Sequence, residues 1–573
     1  MSLTDTQAGI LQATAVIGTL GLLHVPLGDY MFRHLASTPS SDESDEGAAE
    51  WPGPCTPHWR VERWIYRGIG ADPDSEQNWA QYLRSVLALS AAGILVLYAI
   101  LRLQAHLPYS QGDRGLNPAL AWDTAVSFVT NTSWQNYAGE STTGYTAVVA
   151  GLGIEAFASA AVGLAIALAL VRGLTRRETR KLGNFWVDFT RSCTRVLLPL
   201  SLVAGVILVA AGVIDNWNSW LPATLADGTR TLIPGGPVAA WEPIKLISGD
   251  GGGFFNASSA HPFENPNGFT SALEIILMLI VPTAMLRTYG RMVGSVRAGY
   301  TLLAVAGTLF LLFAALTMLA QHRTADSATA VAGGAMNGVE TRLGVNGSSL
   351  FGISSTSSAD GAGAASYDSF TAFGGGLLMA AMMLGEISPG GVGSGLYGLL
   401  MVALVAVFLG GLMVGRTPEF VAKRISSGEM KYVALYYLSG PLVLLTGTAF
   451  AIALPGERAS MNNTGAHGFS EVLYAFTSSA NSNGSSFAGL NGNTAWYNVV
   501  LALVMLFGRY LPMVFVLALA GSLARQRPGV VTSGTVSTTG PLFAGLTVFS
   551  ALVLVGLTFL PALALGPIAD GLH

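Results

Sequence analysis

The chain has 573 residues, of which 51% are hydrophobic and 11% are charged, and its formal net charge at pH 7 is -4. Average soluble domains carry about 25% charged residues, so this composition excludes a soluble protein and indicates one that crosses a membrane many times. The small, scattered net charge argues against a nucleic-acid partner, and two cysteines are too few for a disulfide framework.

Ten apolar segments reach the length of about 20 residues that a helix needs to cross a bilayer. They lie at residues 8–30, 84–104, 144–171, 191–214, 270–289, 298–320, 374–415, 432–455, 496–523 and 540–565, and the seventh is long and interrupted. If the amino end is outside, most of the 29 Lys and Arg residues fall in the inner loops. The sequence therefore predicts an all-α membrane protein with ten spans and with both termini on the outer side.

Four outer loops share a pattern in which a helix too short to cross the membrane precedes a polar turn. We expect these short helices at residues 122–129, 241–247, 349–358 and 469–480. Taking Asn131, Gly251, Gly361 and Gly484 as equivalent positions gives similar spacings, with two spans between neighbouring turns. Regular spacing indicates repeated architecture, and units that share one orientation can surround a single axis.

The pattern divides the chain into four pseudosymmetric repeats, each a span, a pore loop and a second span. We expect a first span with its inner loop at 1–70, repeats at 71–190, 191–297, 298–430 and 431–527, and a last span at 528–573. The repeats would place all four turns on the outer side around one axis.

Four such turns have the chemistry of a filter for a monovalent cation. Backbone carbonyl oxygens can replace the hydration shell of the ion, and the short helices can aim the negative ends of their dipoles at the axis. A single glycine-rich turn would equally fit an ordinary outer loop, but its recurrence favours a filter. The candidate filter residues are Thr130, Asn131, Thr132, Gly249, Asp250, Gly251, Gly252, Ala359, Asp360, Gly361, Ser482, Asn483 and Gly484, with Gln135 at the vestibule.

The seventh span is interrupted by the run Ser388-Pro389-Gly390-Gly391-Val392-Gly393-Ser394-Gly395, which is incompatible with a continuous helix. A loop at membrane depth must lie against protein or water, and below a filter it would obstruct the ion path as a gate. The candidate gate and tunnel residues are Glu386, Gly390, Gly391, Gly393, Arg416 and Arg509. The alternatives are a structural ion pair for Glu386 and Arg416, and a structural anchor for Arg509.

Several longer motifs resemble the potassium-binding A subunits of the Kdp potassium-transporting ATPase. They are Thr130 to Gln135, Gly251 to Asn256, His261 to Pro266, Gly390 to Gly398, Gly415 to Glu419, His467 to Glu471 and Pro561 to Pro567. The resemblance implies potassium as the bound ion, a bacterial inner membrane, and a P-type ATPase catalytic subunit with small accessory membrane subunits as partners. The chain lacks the phosphate-binding and phosphorylation motifs of ATPases, so we expect no nucleotide on it and no ATP hydrolysis by it.

Two turns depart from the pattern of that family, because Gly249-Asp250 stands where Thr-Asn is usual and Asp360 replaces a small polar residue or Cys. Side chains that point away from the axis would leave the carbonyl geometry intact. The main alternative is a stand-alone potassium or sodium transporter driven by the membrane potential. A secondary solute transporter and a structural scaffold fit the parallel repeats and the polar turns less well.

Overall fold

The computed structural model describes residues 5–36, 56–218, 220–323, 335–413, 415–527, 529 and 537–572. Within these residues, ten helices are long and apolar enough to cross a membrane. These spans are Asp5–Leu35, Trp79–His106, Ala147–Thr175, Phe185–Ala210, Gly268–Met292, Val296–His322, Ser394–Met413, Ser427–Ala453, Ala495–Arg525 and Pro541–Leu572. Each overlaps one of the predicted apolar segments, which confirms the all-α, ten-span fold class. The division of the chain into six segments stays a prediction.

Shorter elements connect the spans. The helical ones are Arg60–Ile69, Pro118–Val129, Gly139–Ser141, Val238–Ser248, Ser258–Ala260, Gly344–Ser358, Tyr367–Ser369, Ala372–Met383, Pro455–Arg458 and Gly465–Asn481. Three antiparallel strand pairs occur in the described parts of the chain: Gln77–Asn78 with Lys181–Gly183, Leu221–Thr224 with Arg230–Ile233, and Glu419–Phe420 with Lys423–Arg424.

Polar caps set the beginning of several spans. The Asn78 side chain accepts hydrogen bonds from the backbone N–H groups of Ala80 and Gln81 at the start of the second span. Asn267 caps the fifth span in the same way, and Ser426 caps the eighth. Because the first N–H groups of a helix have no partner within it, such side chains define where the helix starts.

The third, fifth and seventh spans form the centre of the molecule. In their most apolar 18-residue windows, 78%, 78% and 72% of residues are buried, against 11% for the first span and 22% for the tenth. The first span packs on the fifth, and the tenth packs on the sixth and seventh. These three spans are therefore the most enclosed of the ten, and the first and last lie at the periphery.

His467 ties the carboxyl-terminal segment to the short helix Gly465–Asn481. Its Nε2 atom lies 3.0 Å from Asp368 Oδ1, and its Nδ1 atom lies 2.9 Å from Asp570 Oδ2. The hydrogen bond to Asp368, supported by the one to Asp570, outweighs burial and raises the pKa of His467 to about 9. The imidazolium therefore bridges two carboxylates at neutral pH.

This bridge predicts a pH dependence of stability. A pKa raised above the ordinary value near 6.5 gives stabilisation that is complete below about pH 6.5 and is lost as the pH rises through about 9. We expect the melting temperature of the purified protein to fall more steeply between about pH 6.5 and 9 than that of His467→Gln, which keeps an amide but does not titrate. Thermal unfolding at several pH values measures this, and parallel curves would contradict it.

Candidate functional site

Four short helices lead into four turns that lie close together. The helices are Pro118–Val129, Val238–Ser248, Gly344–Ser358 and Gly465–Asn481, and each contains or overlaps a predicted short helix. We name the segments that follow them the first turn (130–133), the second turn (249–252), the third turn (359–361) and the fourth turn (482–484). The carboxyl end of each helix, which carries the negative end of its dipole, is therefore next to a turn.

Each turn has two left-handed residues separated by one residue, and the second turn has a third at Gly252, with φ of 76°. The earlier residues are Asn131, Gly249, Ala359 and Ser482, with φ of 59°, 58°, 59° and 61°. The later residues are Ser133, Gly251, Gly361 and Gly484, with φ of 52°, 72°, 82° and 92°. Ser133, and not Asn131, is therefore the equivalent of Gly251, and the equivalence assumed from the spacings was wrong by two residues.

The turns contact one another in chain order and form a closed ring. The first and second turns are joined by a hydrogen bond from the side-chain amide of Asn131 to the Gly249 carbonyl. The other contacts are close backbone approaches: a Cβ on Gly251 would lie 1.6 Å from the backbone oxygen of Asp360, and one on Gly361 would lie 2.1 Å from that of Asn483. A Cβ on Gly484 would lie 1.7 Å from the backbone oxygen of Thr132, which closes the ring. In three of these contacts a glycine Cα faces a neighbouring backbone carbonyl. The four-repeat symmetry itself stays a prediction.

The polar side chains of two turns fold back onto their own backbone. Asp360 Oδ1 accepts a hydrogen bond of 3.1 Å from the Ala362 N–H, and Asn483 Oδ1 accepts one of 3.1 Å from the Ser485 N–H. Both side chains are fully buried. In the second turn, the fully buried carboxylate of Asp250 faces Ser133 of the first turn.

Asp360 thus accepts the hydrogen bond from Ala362 through one carboxylate oxygen, and the oxygen of a side-chain amide can take its place. We expect Asp360→Asn to change the apparent affinity for potassium by less than about twofold, because the Ala362 N–H keeps its acceptor. Asn483 shows that an amide fits the corresponding position of the fourth turn. Titration of the protein with potassium, the ion that the family resemblance implies, measures the effect. A large loss of affinity in a variant that folds normally would show that the Asp360 charge acts on the ion.

Gln135 connects the first turn to the second. Its Oε1 atom accepts a 2.9 Å hydrogen bond from the Gly253 N–H, and its Nε2 atom donates to the Tyr137 hydroxyl over 3.1 Å. A Cβ on Gly252 would lie 2.8 Å from the same Oε1 atom. The side chain expected at the vestibule thus touches the edge of the ring, and its role in ion entry stays a prediction.

The glycine-rich break in the seventh apolar segment lies beside the ring. The segment is divided into the helix Ala372–Met383 and the span Ser394–Met413, so the predicted interruption is confirmed. The Gly390 N–H donates a 3.0 Å hydrogen bond to the Ser357 carbonyl, next to the third turn. A Cβ on Gly391 would lie 2.9 Å from the Ala359 Cβ atom.

The same loop rests on the third span. A Cβ on Gly393 would lie 2.2 Å from the carbonyl oxygen of Gly163, and one on Gly163 would lie 2.4 Å from the Val392 oxygen. A Cβ on Gly249 of the second turn would lie 3.3 Å from Val392 Cγ2. Residues 384–393, which we name the break loop, are therefore held between two turns of the ring and the backbone of a central span.

Glu386 and Arg509 border one cavity beside the fourth turn. Both side chains are buried, and Tyr397, Asn481 and Ser482 also line this cavity. Arg509 Nη2 donates a 3.2 Å hydrogen bond to the Ser159 carbonyl of the third span. The structure thus brings Glu386 and Arg509, two of the candidate gate and tunnel residues, to the same cavity.

Arg416 does not belong to this group. It is exposed and follows the carboxyl end of the span Ser394–Met413, whereas the break loop precedes the amino end of that span. A helix of 20 residues is about 30 Å long. Its assignment to the gate was therefore wrong, because closeness along an apolar segment does not give closeness in space.

Comparisons with known proteins identify the family of the chain. The profile of the family described as "Potassium-transporting ATPase A subunit" matches residues 14–572. The "Potassium-transporting ATPase potassium-binding subunit" of Streptomyces avermitilis is 51% identical over 565 residues, which cover 99% of each chain. The protein with the same description from Mycolicibacterium smegmatis is 51% identical over 575 residues, which cover 100% of each chain.

A solved structure shows the same fold. The potassium transporter TrkH from Vibrio parahaemolyticus superposes with a TM-score of 0.51 at 15% identity, over 88% of this chain and 97% of that one. At this identity the similarity concerns the fold alone. The full-length match to the family and the full-length relatives at about half identity settle the membership: the chain belongs to the family of potassium-transporting ATPase A subunits.

Proposed function

We propose that this chain binds potassium on the outer side of the membrane and passes it to the catalytic subunit of a P-type ATPase. The observation that carries the proposal is the closed ring of four turns, each preceded by the carboxyl end of a short helix. The full-length relatives, described as potassium-binding subunits of a potassium-transporting ATPase, support potassium as the ion and an ATPase as the partner.

The ring suits a weakly hydrated monovalent cation. Carbonyl oxygens from four sides replace the water around the ion, and four helix dipoles add negative potential without a net charge that would hold the ion too strongly. We assign the proposed binding to the backbone of the four turns, because the side chains of Asp360 and Asn483 are engaged by their own turns.

Below the ring, the break loop and Arg509 would control how the ion leaves. The loop is held against the second and third turns and against Gly163, and the cavity lined by Glu386 and Arg509 adjoins the fourth turn. Two buried groups of opposite charge at such a place fit a path through which a cation passes in steps. We propose that the cavity begins the route toward the ATPase subunit.

The proposed setting is a bacterial inner membrane, with the ring and both termini on the outer side. The distribution of Lys and Arg supports this orientation. The exposed faces of the peripheral first and tenth spans are available to lipid or to small accessory subunits.

A stand-alone transporter driven by the membrane potential is the second candidate. The observation that favours it is the fold shared with TrkH. Reconstitution separates the two. We expect the chain alone in vesicles to show neither ATP hydrolysis nor ATP-dependent accumulation of potassium, and the assembled complex to show both. ATP hydrolysis by the isolated chain, or potassium accumulation by it under a membrane potential alone, would contradict the proposal.

A further inference from the structure

One hydroxyl group joins the second turn, the third turn and a buried charge. Ser258 Oγ donates a 2.9 Å hydrogen bond to the Gly252 carbonyl of the second turn. The same oxygen accepts from the Gly363 N–H, just after the third turn, over 3.3 Å, and from Lys245 Nζ over 3.4 Å. Ser258 itself has a left-handed backbone with φ of 48°, so this position is held by its contacts against an unfavourable conformation.

The ammonium group of Lys245, which donates to Ser258, is completely buried. Lys245 Nζ is 2.9 Å from Glu242 Oε2 and 2.7 Å from Glu264 Oε2, and all three side chains have 0% exposure. The nitrogen also donates to Ser259 Oγ over 3.2 Å. A buried charge that is paired on several sides cannot move without breaking strong interactions, so the lysine is a rigid support.

Lys245 acts on the second turn in two ways. The Lys245 carbonyl, in the last turn of the helix Val238–Ser248, accepts from the Asp250 N–H over 3.1 Å, which fixes the backbone of the turn. The Lys245 side chain acts through Ser258, since a hydroxyl that accepts from a cation becomes a stronger donor to the next acceptor. The direction of the Gly252 carbonyl thus depends on Ser258 and on the charge behind it.

We propose that Ser258 is a positioning residue that sets ion selectivity by holding the Gly252 carbonyl and the spacing between the second and third turns. The inference rests on the proposed function, since it presumes that the ring binds potassium. It adds to that function a residue outside the turns, whose hydroxyl contacts the filter backbone while its lysine partner stays away from the ion.

Ser259 provides a matched control. Its hydroxyl accepts from the same Lys245 nitrogen and donates a 3.0 Å hydrogen bond to Glu242 Oε1. Ser259 is fully buried, whereas Ser258 is partly buried, and Ser259→Ala removes a hydroxyl from the same charge cluster. These partners belong to the charge cluster and not to a turn, so this change separates damage to the cluster from loss of the hydrogen bond to the ring.

The test uses the complex assembled with its partner subunits and measures ATPase activity against potassium, rubidium and ammonium concentration. We expect Ser258→Ala to raise the KM for potassium about fivefold, the loss that one hydrogen bond explains, to reduce discrimination against rubidium and ammonium, and to leave kcat unchanged. Ser258→Gly, which also relieves the left-handed strain, should have the same effect. Ser259→Ala should keep the wild-type selectivity.

Wild-type selectivity in either Ser258 variant would overturn the inference, as would an equal change in Ser259→Ala. If Ser258→Ala does not assemble, Ser258→Gly decides the matter by the same measurement. Failure of the proposed function gives a different result, because the wild-type complex would then show no stimulation of ATPase activity by potassium.

Discussion

Gly251→Ala should lower the apparent affinity for potassium by more than about tenfold, because its Cβ would force the second turn away from the third, in addition to the roughly 1–2 kcal/mol that a Cβ costs in left-handed backbone. Gly251 has φ of 72°, and its Cβ would lie 1.6 Å from the carbonyl oxygen of Asp360. The second and third turns must therefore separate, which moves carbonyl oxygens that we assign to the ion. Discrimination against rubidium and ammonium should fall as well.

Gly294 supplies the control for backbone strain. Its φ of 71° nearly equals that of Gly251, but no atom lies within 4 Å of the place where a Cβ would stand. Gly294→Ala should therefore carry similar local strain and leave ion affinity unchanged. Potassium titrations of ATPase activity, with protein yield as a check on folding, compare the two variants. Unchanged affinity and selectivity in an assembled Gly251→Ala complex would refute the assignment of the filter.

Deletion of residues 390–393 should turn the complex into a potassium-selective leak that needs no ATP. The Gly390 N–H donates a hydrogen bond to the Ser357 carbonyl, and Gly393 packs on Gly163. These two residues therefore hold the break loop between the ring and the third span. An uptake system requires such a barrier, because a filter without one would let potassium run back. Current recordings from reconstituted complexes measure the leak.

Two comparisons make this experiment decisive. Adding Gly251→Ala to the deletion should abolish the potassium selectivity of the current, which would show that the ions pass through the ring. Gly385 lies in the same loop with φ of 76°, and no atom stands within 4 Å of its Cβ position. Gly385→Ala therefore adds local backbone strain but no clash with the ring or the third span, and the complex should show no leak. If an assembled deletion complex shows no potassium current, the break loop is not a gate and serves only in packing.

The spans and the short helices could be predicted because apolar length and helix-breaking residues act locally. About 20 apolar residues are needed in every span, and the glycines and Pro389 around the break exclude a continuous helix in any context. The short helices were recognised for a similar reason, since each ends at a polar turn. These features follow from the immediate surroundings of each residue.

The equivalence of positions in the ring could not be predicted as reliably. Serine and alanine avoid left-handed backbone in most contexts, yet Ser133, Ala359 and Ser482 adopt it here. Only the packing of four turns against one another selects these conformations, and counting along the chain does not show it. The assignment of Arg416 failed for the same kind of reason, because a regular helix carries it away from the break loop.

Lys245 and Ser258 were also missed by sequence analysis. A lysine in an apolar segment signals a buried charge, and Glu242 lies three residues before Lys245 on the same helix, where the two side chains are neighbours. The other partner, Glu264, follows the second turn, and only the fold brings it to Lys245. Ser258 has no local signal, since a serine in a polar run after a glycine turn is common. The sequence thus indicates that the turns exist, and the structure indicates what holds them in place.

The closed ring has a consequence for how ion affinity can change during evolution. In a pore built from four identical chains, every mutation is repeated on all sides, so a small change at one position is multiplied fourfold. Here one gene encodes all four turns, so a mutation alters a single turn directly. It affects the two neighbouring turns through the contacts of Gly251, Gly361 and Gly484. Affinity can therefore change in small steps, one mutation and one turn at a time, and acidic residues such as Asp250 and Asp360 can arise in one turn without arising in the other three.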